Sequence, residues 1–254
     1  MIKPTKIKSC IAMILGLGTV ATVNAQQVET APGAIDVHAH AAEHAPTIFR
    51  SVMIDQLEIR DGDDGSPLIL EGEAWIGSDL NKFWMKADID SLEGDVEEFE
   101  LQALYSRAIA PYWDLQMGLR QDIRPDDGPS WAVLGLQGLA PYFFETEAAM
   151  FISESGDTAV SLSTEYELLL TQRWILSPEI EMDFHGQNDR AAGTGSGLSD
   201  IQAGVRLRYE IRREFAPYIG INWNRKFGNT ADFATEADEE ISSTQWVAGF
   251  RIWF

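Results

Sequence analysis

Three of the four histidines in this 254-residue chain, His38, His40 and His44, fall in one short stretch, DVHAHAAEHA, beside Asp36 and Glu43. Neutral imidazole nitrogens with carboxylate oxygens form a donor set for borderline divalent ions such as copper(II) and zinc. His38 and His40 can close on one ion with Asp36 or a backbone amide nitrogen, and His44 can reach over to complete the set. The surrounding segment is alanine-rich and aperiodic, so any such site is flexible and weak. The competing reading is an unstructured tail with three incidental histidines. The remaining histidine, His185, reads as a polar rim residue. The only cysteine, Cys10, falls in an N-terminal stretch expected to be removed, which leaves no thiolate or disulfide chemistry. A lipid hydrolase would need a nucleophilic serine with a histidine base. Only His185 is placed near the strands, so the chain is not expected to be an enzyme.

The elements that must position these groups begin with an export signal. Lys3, Lys6 and Lys8 precede the apolar run Ile11–Val20, and Val23-Asn24-Ala25 is a small-residue cleavage site. Residues 1–25 are therefore expected to be a signal peptide, 26–51 a disordered periplasmic tail carrying the histidines, and 52–254 a folded domain. No stretch reaches the roughly 20 continuous apolar residues of a membrane helix. The chain has 40 acidic and 19 basic residues and a net charge of −21, which excludes nucleic acid as a partner and attracts cations.

From Met53 onward, alternating apolar and polar residues recur at short intervals between turn signals, the pattern of an antiparallel meander. Tyr112–Arg124 shows it cleanly: Trp113, Leu115, Met117, Leu119 and Ile123 against Asp114, Gln116, Arg120, Asp122 and Arg124. Thr158–Trp174 reads as one strand. The last residues, QWVAGFRIWF, put Trp246, Ala248, Phe250, Ile252 and Phe254 on one face, like the closing stave of an outer-membrane barrel that ends on an aromatic. The count is twelve strands, with ten as the alternative.

Ala110-Pro111-Tyr112-Trp113, Ala140-Pro141-Tyr142-Phe143 and Ala216-Pro217-Tyr218 read as near-identical short turns, with Trp174–Pro178 serving the same purpose. All four fall on the side of the tail and the C-terminus, whereas 124–130, 185–198 and 228–240 read as longer loops on the opposite side. Tyr112, Trp113, Tyr142, Phe143, Trp174, Tyr218, Trp253 and Phe254 read as an interfacial girdle. The fold class is thus all-β, an antiparallel up-and-down transmembrane β-barrel in the cell outer membrane, with lipid as a partner.

The inward face is dense in charge: Glu145, Glu147, Glu165, Glu167, Arg173, Glu181, Asp183, His185, Asp200, Arg206, Arg208, Glu210 and Arg212. Two readings stay open: carboxylates and arginines pair across the lumen and plug it, or excess acid lines a path for cations. Carboxylates by themselves favour hard or intermediate ions and say little about copper.

The blocks WDLQMGLRQDIRP, LGLQGLAPYFFETEA, STEYELLLTQRWILSPEIE, GLSDIQAGVRLRYEIRREFAPYIGINWNRKFGNTADFA and VAGFRIWF, with EGEAWIGSDLNKFWMK and QALYSRAIAPYWDLQ before them, resemble the copper resistance protein B family from about Asp55 to Phe254. The resemblance implies an outer-membrane barrel in a copper tolerance system that includes a periplasmic multicopper oxidase, and a protein that binds or passes excess copper. Family members often carry Met- and His-rich repeats ahead of the barrel. Here Gln26–Val52 holds no methionine, so the tail lacks the soft thioethers that favour copper(I). The other function in play is a passive structural barrel.

Overall fold

Alternation of apolar and polar side chains builds a run of antiparallel strands: β1 (Phe49–Asp61), β2 (Leu68–Gly77), β3 (Asn81–Leu92), β4 (Asp95–Ala110), β5 (Trp113–Arg124), β6 (Ser130–Ala140), β7 (Phe144–Ser153), β8 (Thr158–Glu165), a two-residue β9 (Leu168–Leu169), β10 (Trp174–His185), β11 (Gly197–Tyr209), β12 (Phe215–Lys226) and β13 (Ser242–Trp253). One helix, α1 (Gly228–Glu236), lies between β12 and β13. This is a computed structural model, and it describes residues 47–61, 65–92, 94–124, 128–190 and 192–254. The expected signal peptide and the tail residues Asp36, His38, His40, Glu43 and His44 lie outside the described residues.

Each strand pairs with the next, β8 pairs with β10, and β13 pairs with β1, so twelve strands close into a barrel with β9 as a short extra strand beside β10. Closure removes every long free edge, which a sheet in hydrocarbon requires because lipid offers no hydrogen bonds to bare backbone groups. The amide of Val52 donates to the Phe254 carbonyl (3.1 Å) and the amide of Phe254 to the Val52 carbonyl (2.8 Å), so β1 begins and β13 ends at the same end of the barrel. We call it the terminal end.

The outer wall is apolar. Ile59, Leu119, Ile219 and Trp246 are each more than half exposed, an arrangement that lipid tolerates and water penalises. Among the described residues no helix is long and apolar enough to cross a membrane. At the terminal end Tyr142 (82%) and Phe143 (75%) project outward from a one-turn 3-10 segment, Pro141–Phe143, with Tyr112 and Phe254 similarly exposed.

Several details differ from the sequence reading. Ala110–Trp113 and Ala140–Phe143 are turns, but Ala216-Pro217-Tyr218 lies inside β12 and Trp174–Pro178 inside β10; the actual turns are 210–214 and 166–173. Both prolines sit where no ladder needs their missing amide hydrogen. Pro178 lies opposite the break between β8 and β9, and Pro217 lies just beyond the end of the β11 ladder, at Tyr218. Thr158–Trp174 is accordingly broken at Glu165 and not continuous. Tyr218 is buried, so it belongs to the lumen and not to the girdle. Arg173 and Arg212 sit in exposed turns and not on the inner wall.

At the far end the two longest connections, 186–196 and 227–241, interlock. The amide of Gly195 donates to Thr230 Oγ1 (2.9 Å), Asn229 donates to Asn188 Oδ1 (2.9 Å), and the Arg190 guanidinium lies 4.8 Å over the Phe233 ring. In the neighbouring 154–157 loop the Ser155 hydroxyl, then the Gln187 amide, hold the Asp157 carboxyl below its usual range.

Candidate functional site

Parity sends the polar residue of each pair inward, and the closed sheet then decides which strands face each other. The main hub is Arg206 on β11. Its Nε and Nη2 each donate to Glu58 of β1 at 3.0 Å, Nη2 also to Gln56 Oε1 at 2.7 Å, and Nη1 to Glu179 of β10 at 2.5 Å. Glu58 has no exposed surface and accepts two further bonds, from Arg60 Nε (2.8 Å) and the Tyr218 hydroxyl (3.0 Å). A buried carboxylate survives only when paired and hydrogen-bonded throughout, and this one is.

Other struts repeat the theme. Lys86 Nζ donates to Glu147 at 2.6 Å, Lys82 Nζ to Asp114 at 2.8 Å, and Arg120 pairs with Glu100 and with Asp122 (2.7 Å). Near the terminal end Arg251 reaches Asp55 and Glu167, both at 3.1 Å, and Glu167 also takes Arg208. Elsewhere the lumen is filled by apolar packing: Trp84, Leu104, Val133, Ala149 and Phe151 form one buried cluster facing inward, with Trp75 and Trp131 against it. Open spaces include a cavity of about 40 Å³ among Asp55, Glu165, Ser177, Glu179 and the three arginines Arg206, Arg208 and Arg251, and a mouth of about 270 Å³ at the terminal end, lined in part by Met53, Glu210 and Trp253. Pairing across the lumen describes Glu147, Glu167, Arg206 and Arg208, whereas Glu145, Glu165 and Asp200 join no ion pair among the described residues. Acid still outnumbers base there.

Soft and borderline donors are kept apart. Met85, Met117 and Met150 face the membrane and are each more than 40% exposed. Met53 alone of the described methionines has its sulfur inside, 3.5 Å from Arg251 Nη2. It was missed in the sequence because β1 carries a bulge: Asp55 has no partner in β2 between the pairs Ile54–Gly72 and Gln56–Glu71. The extra residue lets Met53, Asp55, Gln56 and Glu58 all face the lumen. Glu58 and Arg60 also escaped the sequence reading, since their role depends on strands 148 and 142 residues away.

His185 lies at the far end of β10, with Asp183 two positions along the same face. Its Nδ1 is 2.7 Å from Ser199 Oγ, the serine–histidine contact that a hydrolase would need. Ser199 is 1% exposed, however, and its hydroxyl donates to the Gly195 carbonyl (3.1 Å). With that hydrogen committed, the histidine supplies the proton in the contact and does not remove one. Among the described residues no group of three or more His, Cys, Asp or Glu side chains is arranged to hold a metal ion.

The family model for the copper resistance protein B precursor matches residues 48–254. The chain is 44% identical over 213 residues to copper resistance protein B from Escherichia coli, spanning 84% of this chain and 72% of that protein. It is 42% identical over 217 residues to a copper resistance protein B homolog from Pseudomonas syringae pv. tomato, spanning 85% and 74%. Among solved structures the NanC porin superposes with a TM-score of 0.54 at 10% identity, covering 80% of this chain and 99% of that one, a likeness of fold alone. The barrel and the matched length agree, and the chain belongs to the copper resistance protein B family.

Proposed function

We propose that this protein serves copper resistance at the outer membrane, binding excess copper ions through its N-terminal tail on the periplasmic side. The observation that carries this reading is the family match over residues 48–254, with relatives that bear the name copper resistance protein B. The separation of donors in the barrel favours a site in the tail. Among the described residues the inward thioether, Met53, and the imidazole, His185, stand at opposite ends of the inner wall, so these residues offer copper no shared soft or borderline set. His38, His40 and His44, with Asp36 and Glu43, remain the concentrated set in the sequence. Without methionine the tail suits copper(II). A periplasmic multicopper oxidase of the same system is the partner this reading adds.

Two measurements test it. Copper(II) titrated into purified protein and into the H38A/H40A/H44A variant should bind the former and lose most affinity in the latter; equal binding overturns the tail site. A deletion strain should regain copper tolerance with the full chain and less so with a form lacking residues 26–47. Unaltered tolerance on deletion means a passive structural barrel instead.

A further inference from the structure

We infer that Arg107 and Asn81, side by side on the lipid-facing wall near the terminal end, bind the phosphate of an anionic phospholipid. The two residues are Cα partners on β4 and β3. Parity puts both outside. Their chain neighbours Lys82 and Ser106 reach Asp114 on the inner side, while Phe83 and Tyr105, next along the outer face, are each more than 40% exposed.

Apolar contact continues past this pair. Leu80 and Tyr112 in the adjoining turns and Ile109 near the end of β4 lie closer to the rim than Arg107, and each is more than half exposed. Arg107 is therefore rooted within the apolar belt and not beyond it. Its stem can lie along such a wall, but its charge is stabilised only by water or an anion at headgroup level. Among the described residues it joins no ion pair and donates no side-chain hydrogen bond, and Asp79, the carboxylate of the neighbouring turn, is exposed and joins no ion pair either.

Asn81 supplies an independent sign of a ligand. Its Oδ1 accepts a hydrogen bond from the Tyr105 hydroxyl at 2.5 Å, and its backbone amide donates to Ser78 Oγ at 3.3 Å. With its oxygen engaged, the side chain turns Nδ2 and two hydrogens outward beside the guanidinium, and Nδ2 has no partner among the described residues. Two neighbouring residues thus present donors only, a set that fits an oxyanion. The guanidinium can hold two phosphate oxygens through parallel N–H groups while the amide takes a third. Interfacial tyrosines such as Tyr105 and Tyr112 mark the height at which headgroups lie. The exposed rings of Phe83 and Tyr105 beside the site meet acyl chains, which free phosphate lacks. Arg50 on β1 also faces outward at this end, but its partner on β2 is Ile76, which brings no donor. The lipid site does not depend on the copper reading.

The test is native mass spectrometry of the full chain, purified and delipidated in detergent, then mixed with equal amounts of phosphatidylglycerol and phosphatidylcholine. One phosphatidylglycerol should be retained in preference to phosphatidylcholine, whose trimethylammonium adds positive charge beside the arginine, and an excess of inorganic phosphate should not displace it. Arg107→Gln should weaken retention at least about tenfold, and Asn81→Ala and Tyr105→Phe about threefold each. Arg107→Lys, which keeps the charge and loses the fork, should fall between, and Arg50→Gln should change little. Each variant is first checked for folding by its heat-dependent shift on a gel, and if Arg107→Gln fails, Asn81→Ala and Tyr105→Phe decide. Undiminished retention by folded Arg107→Gln, an equal loss in Arg50→Gln, equal retention of the two lipids, or displacement by inorganic phosphate overturns the inference.

Discussion

Tyr218 on β12 and Glu58 on β1 are joined by a 3.0 Å hydrogen bond across the intervening strand, directly above Gly249 of β13, which is the Cα partner of both. A Cβ on Gly249 would come within 2.8 Å of the Tyr218 hydroxyl, 2.7 Å of Glu58 Cβ and 2.5 Å of the Leu57 carbonyl oxygen. The contact exists because that position has no side chain.

Gly249→Ala should therefore displace Tyr218 and strain the seam between the first and last strands. Overpacking of this kind costs about 1–3 kcal/mol. The expected result is a lower temperature for the folded-to-unfolded gel shift, with Ala248→Gly on the lipid face as a milder comparison. An unchanged midpoint in Gly249→Ala would show that the seam can relax.

Removing Arg206 by Arg206→Met leaves Glu58 buried with fewer partners and should destabilise the barrel by about 3–5 kcal/mol. The double variant Glu58→Met/Arg206→Met should recover part of that loss, because the penalty belongs to the unpaired charge and not to the missing bond. Denaturant titration of the two variants side by side reads the difference.

The closed, lipid-facing sheet should make the protein heat-modifiable. An unboiled detergent sample is expected to run ahead of a boiled one on a gel, with a strand-type circular dichroism spectrum before boiling. A predominantly helical spectrum would contradict the barrel.

Copper held by imidazoles should leave in acid. A metal competes with a proton for the same nitrogen, so copper occupancy is expected to fall as pH drops below about 6.5 and to recover on return to neutrality. Occupancy that persists at pH 4.5 would assign the ion to carboxylates instead.

The outline of this fold was legible because a strand's period of two survives in the sequence. Trp113 to Arg124 and Trp246 to Phe254 announce both the wall and its facing, and the charges of β11 could be placed inside from parity alone. What stayed hidden was of two physical kinds. Proline marked turns correctly at Pro111 and Pro141 but not at Pro178 and Pro217, where the neighbouring ladder is absent and the strand loses nothing by containing it. Partners such as Glu58 and Arg206 are set by closure of the ring, which no local pattern encodes, and the bulge at Asp55 shifts the alternation that would have exposed Met53. The histidine cluster, by contrast, is readable from composition alone.

The bulge at Asp55 also separates two parts of one strand. On either side of the extra residue the lipid-facing and lumen-facing sets keep their own count, so losing Asp55 would leave Ile54 outside and Gln56 inside, as they are now. Only the ion pair with Arg251 would go. Length at this point is therefore interchangeable in a way it is not within the regular ladders of the wall, where one residue more or less turns every following side chain inside out. The segment bearing Met53 and the rim of the mouth can lengthen or shorten while the braced middle of the barrel, held by Glu58 and Arg206, keeps its register.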